Sequence, residues 1–151
     1  MPLLVVIAGL LAYYNSFRGP FVFDDVKSIS QNPSIRHLWP IWEPTTVLHR
    51  GGLTVVGRPF TKLSLALNYA VGGTRVWGYH AGNLVIHILA GLTLYGIVRR
   101  ILLRPSLRDR FGNEAATLAL AIAVIWTVHP LQTEAVTYVV QRAECLMGLF
   151  Y

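Results

Sequence analysis

Long apolar runs dominate this chain, and short polar stretches separate them. No Asp, Glu, Lys or Arg occurs within residues 1–17, 76–98 or 115–133. Uncharged apolar runs of about this length are typical of helices that lie in a bilayer, which takes about 20 residues to cross. The pattern predicts three membrane spans and the start of a fourth, at about residues 2–17, 81–98, 115–128 and 135–151.

The region between the first two spans, about residues 18–80, has a helical periodicity of its own. Pro59 is suited to begin a helix and Gly72-Gly73 to end it. Between them an apolar stripe recurs at helical spacing, formed by Phe60, Leu63, Leu67 and Ala70. A helix with such a stripe is predicted to lie flat on a membrane surface.

Two further segments of this region have recognisable patterns. Asp24 to Ile29 is predicted to form a capped short helix that ends at Asn32-Pro33. Ile35 to Trp42 holds two tryptophans and a proline, a composition suited to the headgroup layer. Residues 18–80 are therefore predicted to form an outer loop of interfacial helices over the ends of the spans.

Composition supports a membrane protein. Apolar residues make up 54% of the chain and charged residues 13%, against about 45–50% and 25% in soluble domains. The predicted fold class is all-α, a polytopic membrane helical bundle. No basic, aromatic-interleaved soluble module is present, so nucleic-acid binding is disfavoured. Because no Cys/His cluster has zinc-site spacing and no Walker loop occurs, no metal or nucleotide site is predicted.

The distribution of basic residues predicts the orientation. Five arginines and only two acids lie between the second and third spans, in residues 99–114. Short loops rich in arginine remain in the cytoplasm. The long loop of residues 18–80 is then predicted to lie on the opposite side of the membrane.

Asp24 and Asp25 are the first candidates for chemistry, because they directly follow the apolar run Phe21-Val22-Phe23. Acids this close to hydrocarbon are costly unless they are paired or solvated, and they often serve a function. Partial desolvation raises the pKa of a carboxyl group and suits it to accept a proton from a hydroxyl nucleophile. The alternative is that one of them only caps the following helix. Both interpretations stay open, and the two acids can divide these roles.

Polar side chains on the second span form another group. His80, Asn83 and His87 are spaced by three and four residues, which places them on one helical face. For His87, interhelical hydrogen bonding is the favoured interpretation. His80, near the outer rim, is the better candidate for substrate contact.

The segment after the third span returns to the same side as Asp24. Continued as one helix from Thr133, it would place Glu134, Tyr138, Gln141, Arg142 and Cys145 on one polar face. Arg142 is a candidate phosphate ligand because its planar fork suits oxyanions, and a structural Glu–Arg pair is the alternative. Arg58, just before the flat helix, is a weaker candidate for a lipid phosphate, and Glu134 joins the candidate substrate contacts.

Three ordered blocks of residues resemble a known family. The first is Asn15-Ser16-Phe17, Gly19 to Asp25, Asn32-Pro33 and Ile35-Arg36. The second is Gly57-Arg58-Pro59, Leu67-Asn68-Tyr69, Gly78-Tyr79-His80, Asn83 and Ile86-His87. The third is His129-Pro130, Thr133 to Val136 and Val139 to Glu144. Together they resemble the N-terminal membrane part of the transmembrane and tetratricopeptide-repeat-containing protein O-mannosyltransferases and their bacterial relatives.

The resemblance implies a GT-C glycosyltransferase fold with its active site on the extracytoplasmic side. Asp24 and Asp25 match the family's catalytic acidic pair. The implied donor is a polyprenyl- or dolichyl-phosphate sugar, with mannose passing to protein Ser or Thr hydroxyls and inversion at the anomeric carbon. Metal dependence is left open. The implied location is the bacterial inner membrane or the endoplasmic reticulum membrane.

The resemblance also implies that residues 1–151 are the N-terminal part of a longer protein whose later spans and repeats are missing, so that the fragment alone is inactive. Two other classes of function remain. A non-enzymatic membrane scaffold would use its repeats to recruit partners, and its acids would only cap helices. A transporter would need ionisable residues in several spans, and His87 alone supports it little.

Overall fold

The computed structural model describes residues 1–39 and 57–151, and within these ranges every regular element is helical. The all-α prediction is confirmed for this part of the chain. The α-helices are α1 Leu3–Tyr13, α2 Pro59–Gly72, α3 Val76–Leu102, α4 Pro105–Phe111, α5 Ala115–Thr127, α6 Thr133–Thr137 and α7 Arg142–Phe150.

Helix α3 is the centre of the bundle, and α1, α5 and α7 pack around it. Its buried positions include three polar side chains at helical spacing, those of His80, Asn83 and His87. Large aliphatic side chains point outward from the neighbouring helices: Leu11 is 69% exposed and Ile125 is 63% exposed. Extended apolar surface of this kind marks a site of interaction with a membrane or with another protein.

By length and hydropathy, α3 is the single helix in the described ranges that can cross a membrane unaided. The first predicted span is a shorter apolar helix, Leu3–Arg18, whose last part is a 3₁₀ turn. The third predicted span combines α5 with Pro130–Thr137, bent by 50°. Pro130 explains the bend, since the residue before a proline avoids helical geometry and His129 has φ −63° and ψ 134°.

The prediction of one continuous helix from Thr133 through Cys145 is wrong. Helix α6 ends at Thr137, Tyr138 is extended at φ −91° and ψ 110°, and a 3₁₀ turn leads into α7. The physical reason is tertiary. Side chains from elsewhere in the fold bond the backbone of this break and compensate for the lost helical hydrogen bonds.

Helix α2 follows its predicted bounds. Pro59 occupies the first turn, and Gly73 ends the helix with a positive φ of 60°, a conformation that glycine adopts without steric cost. Phe60 and Leu67 of the apolar stripe are exposed, while Leu65 and Ala66 are buried against the loop. Their core also includes Ile29, Ile35, Tyr79 and Val139, so the described part of the loop packs onto the N-terminal end of α3.

The predicted capped helix after the acids needs correction. The chain forms a single wide π turn over Val26–Ser30, and Asp25 stands at its N-cap position without capping it. The Asp25 carboxylate instead binds two other backbone amides. The predicted headgroup segment, Ile35 to Trp42, lies within the described residues only as far as Trp39.

Candidate active site

Asp25 is buried, with 1% of its surface exposed. Its carboxylate oxygens accept hydrogen bonds from the backbone N–H of Val22 at 3.2 Å and of Val140 at 2.8 Å. Burial raises the pKa of the Asp25 carboxyl group, and the two amide donors and nearby His80 oppose that rise. Asp25 therefore joins the first loop to the segment between α6 and α7.

Asp24 has the opposite environment. Its side chain is exposed, while its backbone N–H donates to the Tyr138 hydroxyl at 3.2 Å. Phe23 before it has φ 44°, an unusual value for a bulky residue. This conformation closes a turn in which the Asp25 N–H bonds the Val22 carbonyl at 2.9 Å. The turn sends one acid inward and leaves the other facing out.

His80 contacts the chain just before this turn. It is 2% exposed, and its Nε2 is 3.4 Å from the Gly19 carbonyl. Its Nδ1 is buried and has no hydrogen-bond partner among the described residues. His80 thus contacts the chain that leads into the acid pair, and the bulk of the protein, rather than solvent, surrounds its ring.

Arg142 is the largest fully buried side chain in the described ranges. Its guanidinium donates to Asn83 Oδ1 at 2.7 Å, the Tyr79 carbonyl at 2.8 Å and the Ser64 carbonyl at 3.0 Å. A fourth bond goes to Asn68 Oδ1. These acceptors are all neutral, and they lie on α2 and α3. Four of the five guanidinium N–H groups therefore serve to join helices.

The alternative interpretation of Arg142, a structural Glu–Arg pair, is not supported, because Arg142 bonds neutral acceptors and forms no such pair with Glu134. Glu134 is exposed near the start of α6, and Arg142 is turned into the core. The break at Tyr138 is the reason, because it rotates α7 relative to α6 and removes the shared helical face. Glu134 is thus separated from the buried polar group.

Arg58 is exposed just before α2. It lines an open groove of about 330 Å³ between the start of α2 and α7. The groove walls are mostly apolar, with Glu144 as the other charged residue: Pro59, Phe60, Thr61, Ala143, Leu146, Met147 and Phe150 complete the lining. An arginine at the edge of an apolar groove suits an amphiphile with an anionic headgroup.

His87 lies deeper in the bundle. Its Nε2 is 2.9 Å from the Thr127 carbonyl on α5, and its ring stacks on Trp126 at 4.9 Å between centroids. The prediction of interhelical hydrogen bonding by His87 is confirmed. No group of three His, Cys, Asp or Glu side chains in residues 1–39 and 57–151 is arranged to hold a metal ion.

Tyr138 and Asn83 make contacts in the structure that their positions in the sequence did not predict. Tyr138 was expected on a polar helical face, yet it contacts Asp24 from an extended backbone. The run Val136-Thr137-Tyr138-Val139-Val140 is rich in β-branched residues, which disfavour helix. That composition weakens the helix locally, and the distant side chains that bond this segment fix the break at Tyr138.

The acid pair and the arginine-rich connection lie at opposite ends of α3. His80, which contacts the loop before the acids, is in the first turns of this helix, and Arg99 is in its last turn. At a rise of 1.5 Å per residue, the two positions are about 28 Å apart along the axis, close to the thickness of a bilayer's hydrocarbon core.

Comparisons with known proteins give a consistent group of relatives. The chain is 31% identical to the Drosophila melanogaster protein O-mannosyl-transferase Tmtc3 across 99% of its own length and 18% of the relative. It is 32% identical to human protein O-mannosyl-transferase TMTC2, with 95% and 16% covered, and 29% identical to protein O-mannosyl-transferase F38B6.6 of Caenorhabditis elegans, with 98% and 21% covered.

The chain therefore spans about a fifth or less of the length of these relatives. No protein-family model matches it, and no solved structure does. These relatives are named protein O-mannosyl-transferases, and the apolar helices of the chain support a membrane protein. Over nearly its whole length, the chain is a homologue of the protein O-mannosyl-transferases of the TMTC family.

Proposed function

We propose that this chain forms the acid-bearing part of a membrane protein O-mannosyltransferase. The enzyme would take mannose from a polyprenyl- or dolichyl-phosphate carrier and transfer it to Ser or Thr hydroxyls on the extracytoplasmic side of the membrane. The observation that carries this proposal is the unequal environment of the two acids: Asp25 is buried and bonded to backbone amides, while Asp24 is exposed with its backbone fixed. The names of the relatives supply the reaction class.

In the proposed reaction, the Asp24 carboxylate accepts the proton of the acceptor hydroxyl. The hydroxyl oxygen then forms a bond to the anomeric carbon of mannose as the bond from that carbon to the phosphate oxygen breaks. The electron pair leaves with the lipid phosphate, and the anomeric centre inverts. A positioned base and a fixed attack geometry are the main contributions that a protein makes to such a displacement.

The other candidate residues have supporting or binding roles in this reaction. Asp25 holds the turn that presents Asp24, and His80 contacts the Gly19 carbonyl just before that turn. Arg58 would bind the phosphate of the donor, whose isoprenoid chain would occupy the apolar groove that begins beside it. Glu134 is exposed at the start of α6 and would contact the acceptor. In this scheme the acid pair and the groove face the extracytoplasmic leaflet, and Arg99 lies at the cytoplasmic end of α3.

The proposal is tested by transfer from purified lipid-phosphate mannose to a Ser/Thr peptide, using the full-length protein in detergent or vesicles. Asp24→Asn should lower kcat by at least about a thousandfold while expression and membrane insertion stay normal. Asp109→Asn, which changes an exposed acid on α4, is the matched control. Reactions with and without a chelator measure metal dependence. Full activity of Asp24→Asn would refute the assignment of the base.

A further inference from the structure

We propose that Asn83 and Arg142 are positioning residues for the acid pair, acting through the broken segment 136–140. This inference rests on the proposed function, because it concerns how Asp24 is held for proton transfer. It also changes the role expected for Arg142, from a phosphate ligand to a support within the protein. Four observations lead to it.

The Asn83 side chain supports the carbonyls that the helix break exposes. Its Nδ2 lies 3.4 Å from the Val136 carbonyl, 3.4 Å from the Tyr138 carbonyl and 3.3 Å from the Val139 carbonyl. Unpaired buried carbonyls are costly. The side-chain amide of Asn83 on α3 therefore replaces hydrogen bonds that these carbonyls would make in a continuous helix, and it stabilises the break.

Arg142 fixes which way the Asn83 amide faces. Its Nε donates to Asn83 Oδ1 at 2.7 Å, so that oxygen must face the guanidinium and the NH₂ group must face the carbonyls. Bonds from Arg142 to the Tyr79 and Ser64 carbonyls hold the guanidinium itself. The orientation of the supporting amide is thus determined by a buried cation.

The supported segment contacts both acids. The Val140 N–H donates to the Asp25 carboxylate at 2.8 Å, and the Tyr138 hydroxyl accepts the Asp24 N–H at 3.2 Å. The chain of contacts therefore runs from Arg142 to Asn83, then to segment 136–140, and then to the acid pair. A shift of this segment would move the backbone of Asp24.

The burial of Arg142 distinguishes a positioning role for this residue from phosphate binding. Arg142 is 1% exposed, and four of its N–H groups donate hydrogen bonds to neutral acceptors of the protein. A phosphate ligand would need to release several of those bonds. A positioning residue lowers kcat when it is changed, whereas a ligand of the donor raises KM for the donor.

Asn83→Asp is the most direct test. The carboxylate keeps an acceptor for Arg142 but loses the donor to the three carbonyls. In the full-length protein we expect kcat to fall about tenfold or more, with KM for lipid-phosphate mannose within about twofold of wild type. The matched control is Asn68→Asp, which keeps an acceptor for the same arginine but loses its donor to the Gly78 carbonyl, outside the segment.

A second variant keeps the proposal testable if Asn83→Asp misfolds. Tyr138→Phe removes only the hydroxyl that accepts the Asp24 N–H, and we expect kcat to fall about fivefold with an unchanged thermal midpoint. Thr137→Ala is its control, because within residues 1–39 and 57–151 the neighbouring hydroxyl bonds only the Thr133 carbonyl of its own helix. Equal kcat values in Tyr138→Phe and Thr137→Ala would refute the contact's role in catalysis.

Hydrogen exchange tests the proposal without an activity assay. In Asn83→Asp, amides of residues 138–141 should exchange about tenfold faster than in wild type and in Asn68→Asp. Unchanged exchange, equal kcat losses in both asparagine variants, or a raised donor KM at normal kcat would each overturn the proposal. If wild type fails to transfer mannose, the proposed function fails, and the exchange rates still decide whether Asn83 holds the segment.

Discussion

The Asp25 carboxylate accepts a hydrogen bond from the Val140 N–H at 2.8 Å, although 115 positions separate the two residues along the chain. This contact ties the first loop to the break between α6 and α7. It also shows why two adjacent acids differ so strongly. The inward acid bonds the protein, and the outward acid is exposed.

Asp25 should give folding stability a defined pH dependence. Burial raises its pKa in the folded protein, so its contribution to stability is full below the unfolded pKa, about 3.9. That contribution is lost as the pH rises through the folded pKa. In thermal unfolding from about pH 3 to pH 7, the Tm of Asp25→Asn should therefore rise relative to wild type as the pH increases. A Tm difference that is constant or falls with pH would contradict this expectation.

Arg142→Lys should destabilise the protein although the charge is kept. A lysine has one nitrogen on a flexible stem and cannot reach acceptors on α2 and α3 together. Loss of several buried hydrogen bonds should cost about 3 kcal/mol of unfolding free energy. Thermal unfolding in detergent measures the change. Arg104→Lys, at an exposed site before α4, is the control, and equal midpoints for the two variants would exclude a structural role for Arg142.

Gly91→Ala should weaken the packing of α3 against its neighbours. An added methyl group would lie 2.5 Å from Thr127 Oγ1 on α5 and 3.1 Å from a Val5 methyl on α1, and such overpacking costs about 1–3 kcal/mol. Gly96→Ala in the same helix meets open space and should be neutral or stabilising by about 0.5–1 kcal/mol. Thermal midpoints of the pair measure the difference, and an unaltered Gly91→Ala midpoint would exclude close packing there.

Arg58→Gln should weaken donor binding more than catalysis. If this exposed arginine binds the donor phosphate, KM for lipid-phosphate mannose should rise about tenfold while kcat changes little. Steady-state transfer kinetics give both values. Arg75→Gln is the control, since Arg75 is also exposed at the N-terminal end of α3 but lies outside the groove lining. The same KM in both variants would remove Arg58 from the site.

Local patterns predicted several elements well. Pro59 and Gly73 mark the ends of α2 because each acts through its own backbone geometry. His80, Asn83 and His87 lie on one buried face of α3, as their spacing predicted. The three predicted spans correspond to apolar helical regions, although α3 alone in the described residues has the full length to cross a membrane.

Local sequence specifies where apolar helices form and which residues begin and end them, because those properties depend on neighbours within a few positions. Long-range packing sets three other features: Asp25 bonds Val140 instead of capping a helix, the chain breaks at Tyr138, and Arg142 faces Asn83. Each of these features depends on a partner at least 55 positions away along the chain. Spacing along one helix carries no information about which distant backbone groups will need a donor or an acceptor.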